Sequence, residues 1–377
     1  MKKIEYTMYR DILMEGFEPG QDTCHIDPIP FRTPDGRMHI AYRDIYLGGS
    51  DVFLPSHVIS SEDGGLTFGE PQPFIKVPDI HENGVRTYHS LLAYYHKAGN
   101  QNYVLGRITR YSDDHGPVLT GQKIMPALTG EFDPATMEFT QFHEFDLPGL
   151  EDYDTLMPFS VLEEKTGTVL IAFYGRKGNT KVSKVIIARF EIREGKLVFL
   201  ERGEPISKPE LARGIGEPRL AHLGNTYYLT VRSDEIGMMS KSSDGLNYSE
   251  PEIWHWDDGE ILTSRNTMQG WLQHPDGLFL VYTRETPHNT HIFRRRAPLF
   301  MARFDEERDC LVKDTEVIVV PEMGARIGNF YVTPMKDNEA WITVFEWMQT
   351  TAPNPLDSSV CYRYGARNRL WRTRIVW

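Results

Sequence analysis

The stretch FRTPDGRMHIAYRD, from Phe31 to Asp44, contains the pattern that decides the fold. A short apolar segment leads into a polar turn at Gly36, and a second apolar segment follows and ends on the charged pair Arg43-Asp44. Strand-forming residues on both sides of a Gly-containing turn are typical of a β-hairpin, because Gly tolerates the positive φ of tight turns. We therefore predict two antiparallel strands here.

The same hairpin pattern occurs five more times along the chain. The copies are LLAYYHKAGNQNYVLGR (91–107), LEEKTGTVLIAFYGR (162–176), LAHLGNTYYLTVR (220–232), WLQHPDGLFLVYTR (271–284) and VTPMKDNEAWITVFE (332–346). Their turns recur every 53 to 67 residues, the length of a four-stranded sheet with generous loops. Six such units nearly fill the 377 residues, which predicts an all-β, six-bladed β-propeller forming a single domain over residues 1–377.

Two further motifs repeat in phase with the hairpins. SEDGGLTF (61–68) fits the Asp-box pattern S-x-D-x-G-x-T-[FW], and SSDGLNY (242–248) is the same box shortened by one residue. They begin 181 residues apart, which is three periods of about 60 and favours six blades over seven. The C-terminal segment RLWRTRIVW (369–377) reads as a strand that closes the ring with a segment near the N-terminus.

Composition narrows the function classes. The net charge of −12 argues against a nucleic-acid partner, because phosphate binding needs a basic surface. No apolar run reaches the length of a membrane span or signal peptide, so we expect no membrane partner and a cytoplasmic location, with export still open if the N-terminus was trimmed. Three scattered cysteines predict neither a disulfide framework nor a metal site, and no cofactor motif is present.

The hairpin EPRLAHLGNTYYLTVR (217–232), the segment RRRAPLFMARFD (294–305) and the two Asp-boxes together resemble the sialidase (neuraminidase) superfamily, including bacterial sialidase-like proteins with Asp-box (BNR) repeats. The resemblance implies that Glu217 polarises a tyrosine nucleophile and that Asp51 is the acid/base residue. It also implies that Arg232 and Arg296 grip a substrate carboxylate and that Arg43 lies in the pocket. Guanidinium groups suit that task because they bind carboxylates through two hydrogen bonds.

The sequence departs from the family pattern in two places. Where sialidases carry Arg-Ile-Pro in the first blade, this chain has His25-Ile26-Asp27-Pro28, so one arginine of the trio is missing. His25 and Asp27 could instead form an acid/base pair that contacts substrate. Counting back from Glu346 places Phe330 at the position of the nucleophile, and Tyr331 would face the pocket only if a β-bulge shifts the register.

Residue positions give further candidates independently of the resemblance. Arg43, Arg232, Arg284, Arg107 and Glu346 each end the second strand of a hairpin, and equivalent strand ends of a propeller gather at one mouth of its channel. We therefore predict an anion-binding mouth that includes Arg284 and Glu346. Tryptophans 254, 256 and 271 are either core residues or sugar platforms, and a metal triad of histidines 89, 288 and 291 has little support.

These observations predict a carbohydrate-active enzyme that binds a carbohydrate, with Asp51, Glu217 and Tyr331 as catalytic candidates. The leading expectation is a sialidase-like glycoside hydrolase acting on an acidic or polar sugar. A polysaccharide lyase acting on uronates is an alternative, in which a Tyr or His removes a proton next to a neutralised carboxylate. A non-catalytic glycan-binding propeller is the third possibility.

Overall fold

The computed structural model describes residues 3–16, 18–48, 51–74, 80–114, 125–178, 180–264, 266–351 and 354–377. It is an all-β, six-bladed β-propeller in which all six predicted hairpins are present. The chain begins with β1 (Thr7–Glu15), which belongs to the last blade. The first blade contains β2 (Thr23–Arg32), β3 (Met38–Tyr46), β4 (Phe53–Ser61) and β5 (Gln72–Pro73).

The next three blades follow in chain order. The second contains β6 (Ile80–Glu82), β7 (Val85–His96), β8 (Gln101–Ser112), β9 (Ala127–Asp133) and β10 (Glu138–Phe145). The third contains β11 (Tyr153–Glu163), β12 (Val169–Lys177), β13 (Lys184–Arg193), β14 (Lys196–Arg202) and β15 (Ile206–Ser207). The fourth contains β16 (Gly216–Leu223), β17 (Thr226–Arg232), β18 (Gly237–Ser242) and β19 (Glu252–Ile253).

The last two blades complete the ring. The fifth contains β20 (Gly270–His274), β21 (Gly277–Tyr282), β22 (Leu299–Asp305), β23 (Cys310–Leu311) and β24 (Val317–Val320). The sixth contains β25 (Arg326–Ile327), β26 (Tyr331–Lys336), β27 (Glu339–Trp347) and β28 (Arg369–Val376). Short 3-10 turns at Phe293–Arg295 and Lys313–Thr315 and one helix, α1 (Ser358–Tyr364), lie in connections.

Both ends of the chain meet in the sixth blade, as the C-terminal segment predicts. Strand β28 pairs with β27 on one side and with β1 on the other, so an N-terminal strand completes a C-terminal sheet. Contacts between β2 and β26 join the first and sixth blades and close the circle. Because six blades form a closed ring, the first and fourth blades face each other across the central channel.

The apolar core lies mainly between neighbouring blades. Leu170 of the third blade and Leu229 of the fourth share one buried cluster, and Tyr228 of the fourth packs edge-on against Phe304 of the fifth at 5.1 Å between ring centroids. Trp254 and Trp271 are buried in the same cluster as Phe304. These tryptophans, like Trp256 beside them, are therefore core residues rather than exposed sugar platforms.

The two predicted Asp-box turns share a hydrogen-bonding pattern. The carboxylate of Asp63 accepts bonds from the backbone N–H groups of Leu66 and Thr67, and Asp244 does the same for Leu246 and Asn247. In each turn the preceding serine hydroxyl donates to the aspartate and accepts from a glycine N–H. The turns follow β4 and β18, in the two blades that face each other.

Glu339 holds the closing sheet together at the start of β27. Its carboxylate accepts hydrogen bonds from Arg374 at 2.6 Å and from the indole of Trp341 at 2.7 Å. Burial opposes ionisation, but these bonds outweigh it and lower the pKa of Glu339 to about 2. A carboxyl with a lowered pKa stabilises the fold above its ordinary pKa and loses that contribution as pH falls toward the folded value.

We predict that Glu339→Gln lowers the free energy of unfolding by about 2 kcal/mol at pH 7, because it weakens a charge-assisted contact. The difference from the parent should shrink as pH falls from about 4.5 toward 2, which urea unfolding at several pH values measures. Glu5→Gln, at a side chain that is 77% exposed, is the control and should cost less than about 0.5 kcal/mol. A difference that stays constant down to pH 2 would contradict this role.

Candidate functional site

An acid-Pro bulge lies in the inner strand of both the first and the fourth blade. In the fourth, the register shifts between Gly216 and Arg219, and Glu217 takes a positive φ of 50°. In the first, the register shifts between Ile26 and Ile29, and Asp27 has a φ of 53°. A bulge re-aims a side chain out of the ordinary alternation of a strand, so both acids turn toward the end of their own hairpin.

Each of these acids forms an ion pair with the arginine that ends its hairpin. Nε and Nη2 of Arg232 each donate to one carboxylate oxygen of Glu217 at 2.8 Å. Nε of Arg43 donates to Asp27 at 2.8 Å, and its Nη1 donates to the Ser90 hydroxyl at 2.6 Å. Burial raises the pKa of Glu217, but the Arg232 guanidinium outweighs burial and holds it below the ordinary value.

Two adjoining pockets open where these strand ends meet. Their shared wall contains Asp51, Phe53, Glu217 and Asn329. The smaller pocket has a volume of about 140 Å³ and the larger about 330 Å³. The two carboxylates predicted to be catalytic, Asp51 and Glu217, therefore border one continuous site.

The lining of the smaller pocket includes three tyrosines and two arginines. Tyr94, Tyr174 and Tyr331 face it together with Arg43 and Arg107. Burial raises the pKa of all three phenols above the ordinary value, and the charge of Glu217 raises that of Tyr174 further. Their hydroxyls therefore keep their protons at neutral pH and can donate hydrogen bonds, or give up a proton when a base takes it.

Tyr331 reaches this pocket because of a register irregularity. The four steps from Ile327 to Tyr331 stand opposite only three steps of β27, from Glu346 to Thr343. This extra residue is the bulge that the sequence required for Tyr331 to face the site. Phe330 instead lies buried in the apolar cluster between the fifth and sixth blades.

The larger pocket is strongly cationic. Its lining arginines are 213, 232, 294, 296 and 326. Two of them are paired with carboxylates, since Arg213 contacts Asp234 and Arg232 contacts Glu217. Burial and the neighbouring guanidinium of Arg232 lower the pKa of Arg296 to about 9, whereas Asp51 favours its charged form.

Asn266 holds three arginines of this pocket in place. Its backbone carbonyl accepts a hydrogen bond from Nε of Arg296 at 2.8 Å. Its side-chain oxygen accepts from Nη1 of Arg232 at 3.2 Å and from Nη1 of Arg294 at 3.3 Å. An amide oxygen orients these cations without neutralising them, so the pocket keeps its positive charge.

Four residues in or beside the site have strained backbone conformations. Asp51, Glu217 and Arg294 line the pockets with positive φ values of 58°, 50° and 56°, and Asn266 beside them has 50°. Non-glycine residues adopt this region at a cost of about 1–3 kcal/mol each, and such residues cluster at functional sites. These strained residues support a functional role for the two pockets.

Four of the predicted binding residues line neither pocket, namely His25, Asp27, Arg284 and Glu346. Nδ1 of His25 lies 2.5 Å from Asp44, so His25 does not pair with Asp27. Arg284 forms a two-pronged ion pair with Glu316. Glu346 accepts backbone bonds from residues 367 and 369 and the indole bond of Trp371, which makes it an anchor for β28.

No metal or membrane feature emerges from the described part of the chain. No group of three or more His, Cys, Asp or Glu side chains there is arranged to hold a metal ion. His291 contacts Glu322 at 3.1 Å, and His89 packs against Phe142. None of the helices described has the length and apolarity needed to cross a bilayer.

Sequence reasoning missed several residues of the site. Arg326 is the first residue of an inner strand, and Tyr174 lies inside the second strand of its blade. Neither residue is therefore a charged strand end of the kind from which the site was predicted. Asn266 and Arg213 lie in connections whose path follows from tertiary structure. A search for buried arginines near the bulges would have required the fold first.

Solved structures with this fold are numerous, although no protein-family model and no curated protein matches the sequence. The Trypanosoma rangeli sialidase in complex with the inhibitor DANA matches with a TM-score of 0.61 and 12% identity, over 97% of this chain and 59% of that chain. The intramolecular trans-sialidase from Ruminococcus gnavus in complex with oseltamivir carboxylate gives 0.58 and 11%, over 92% and 94%. The Penicillium chrysogenum α-L-arabinanase complexed with arabinobiose gives 0.54 and 11%, over 99% of both chains.

At these identities the likeness establishes the fold. The structural neighbours include sialidases and an arabinanase, which are glycoside hydrolases built on propellers. Their names do not decide what this chain acts on, because one fold hosts many activities.

We predict that Gly106→Ala disrupts the wall of the smaller pocket. A Cβ there would lie 1.9 Å from the backbone oxygen of Ser90, which cannot move without breaking the β7–β8 pairing. The unfolding free energy should fall by about 3 kcal/mol or more, as chemical denaturation would measure. Gly69→Ala, whose Cβ would meet its nearest atom at 3.8 Å, is the control and should be nearly neutral.

Proposed function

We propose that this protein is a glycoside hydrolase that acts on an acidic sugar. The observation that carries the proposal is the shared wall, where Asp51 and Glu217 stand between a cationic pocket and a tyrosine-lined pocket. An anionic group of the sugar would enter the arginines, which places the glycosidic bond beside the two carboxylates. The sialidase neighbour is in complex with the inhibitor DANA and the arabinanase with arabinobiose, which is consistent with a sugar partner.

In the proposed reaction, Asp51 protonates the leaving-group oxygen as the glycosidic bond breaks. The hydroxyl of Tyr331, or a water molecule, attacks the anomeric carbon, and its proton passes to Glu217. If Tyr331 forms the new bond, water later attacks the anomeric carbon and breaks that bond, with Asp51 taking a proton from the water and Glu217 returning its proton to the departing oxygen of Tyr331. Arg232 and Arg296 hold the anionic group throughout, and Arg43 donates a hydrogen bond to the carboxylate of Asp27.

Tyr174 provides a second phenol at the same wall. Its ring packs on the backbone of Gly216, directly before Glu217, at 3.1 Å from the position of a Cβ there. This arrangement of buried tyrosines beside arginines also suits a uronate lyase, in which a phenol removes the proton next to a neutralised carboxylate. The lyase product is unsaturated and absorbs in the near ultraviolet, whereas the hydrolase product does not.

We predict that an acidic sugar, and not a neutral one, stabilises the protein in a thermal-shift assay. At equal ionic strength, DANA or glucuronate should raise Tm and glucose should not, because a ligand that binds only the native state raises Tm. Stabilisation by DANA or glucuronate but not by glucose supports the proposal. Equal stabilisation by glucose, or by none of the three, would contradict an acidic-sugar site.

We predict that Glu217→Gln and Asp51→Asn each lower kcat by at least about 10²-fold on the sugar-acid glycoside that the binding panel selects. Tyr331→Phe should do the same if the phenol attacks, and little if water does. Arg284→Lys, outside both pockets, is the control and should stay within about twofold. Full turnover in Glu217→Gln with an intact fold would remove the assignment, and binding without any product would identify a glycan-binding propeller.

A further inference from the structure

Arg326 is a buried cation held flat against the wall of the larger pocket. It begins β25 in the sixth blade, is 4% exposed, and pairs in register with Trp347. Its guanidinium carbon lies 3.5 Å from the centroid of the Trp347 ring and 5.3 Å from that of Phe293. Stacking on aromatic rings fixes the plane of a guanidinium group without using its N–H donors.

No described residue neutralises this cation. Its Nε is buried without a hydrogen-bond partner, and within the described ranges no carboxylate lies at ion-pair distance from it. Arg43, Arg232 and Arg284, in contrast, each contact a carboxylate directly. Burial and the neighbouring Arg296 and Arg294 push the pKa of Arg326 well below its ordinary value, while Asp51 works against them.

An unpaired buried charge costs several kcal/mol, so a site that retains one is built for an anion that arrives later. The first blade cannot supply this cation, because Asp27 occupies that place and already pairs with Arg43. Arg326 lines the same pocket as Arg232 and Arg296 and approaches it from a different strand. All five arginines that line the pocket therefore come from outside the first blade, and Arg326 is the one that the sixth blade contributes.

We propose that Arg326 is the third guanidinium group of the anion site and a specificity-determining residue for a compact oxyanion, such as the carboxylate of a sugar acid. The inference rests on the proposed function for the identity of the sugar, but not for the anion site itself. It assigns to the sixth blade a contact that the sequence pattern assigns to the first.

Arg326→Met tests this role, because it keeps the apolar contact with Trp347 and removes the charge. The ligand-free variant should melt at a higher temperature than the parent, since an uncompensated buried charge is gone. Its affinity for DANA or glucuronate, measured by calorimetry, should fall about 10- to 100-fold. Sulfate should stabilise the parent more than the variant at matched ionic strength.

Arg284→Met is the matched control, because Arg284 is also stacked on aromatic rings but is half-buried and paired with Glu316. It should lower Tm and leave ligand affinity unchanged. If Arg326→Met lowers Tm and binds both sugar acids and sulfate like the parent, Arg326 is a structural residue and the inference is wrong. If no sugar acid binds the parent but sulfate still distinguishes the variants, the proposed function fails and the anion site remains.

Discussion

The bidentate ion pair between Glu217 and Arg232 is the interaction on which the site depends. It requires the bulge at Glu217, which costs backbone strain, and it links the first residues of an inner strand to the last residue of the next. Once Arg232 is fixed, Asn266 can bridge it to Arg294 and, through its carbonyl, to Arg296. A single pair thus orders most of the cationic pocket.

The blade across the channel repeats this construction with a different outcome. Asp27 and Arg43 use the same kind of bulge and pair across the same two strands of a hairpin, but their pair is buried beside Tyr331. The first blade therefore contributes Arg43 to the tyrosine-lined pocket, and the fourth contributes Arg232 to the cationic one. The arginines that can bind a charged group are thus separated from the tyrosine hydroxyls. The protein as a whole has a net charge of −12. An anion that approaches this acidic surface is attracted by one local field, the arginine pocket.

The sequence predicts the fold well because each hairpin is a local pattern, and six copies leave few alternatives. The proximity of Glu217 and Arg232 can likewise be predicted from the sequence, because both residues lie in one hairpin. The position of Tyr331 depends on one extra residue between β25 and β26, which the sequence leaves as an alternative. Arg284 and Glu346 illustrate the limit of strand-end reasoning, because Glu316 and the backbone of β28 take up their charges. The role of Arg326 could be inferred only from the tertiary structure, because the argument depends on the absence of a described carboxylate at ion-pair distance from its guanidinium group.

A crystal structure of the protein with bound glucuronate or DANA would test directly whether the arginines of the larger pocket hold the carboxylate of the sugar. The account predicts the carboxylate within hydrogen-bond distance of Arg232, Arg296 and Arg326, with the sugar ring at the wall formed by Asp51 and Glu217. A carboxylate that binds away from these arginines, or a sugar that occupies the tyrosine-lined pocket with its carboxylate in solvent, would contradict the account.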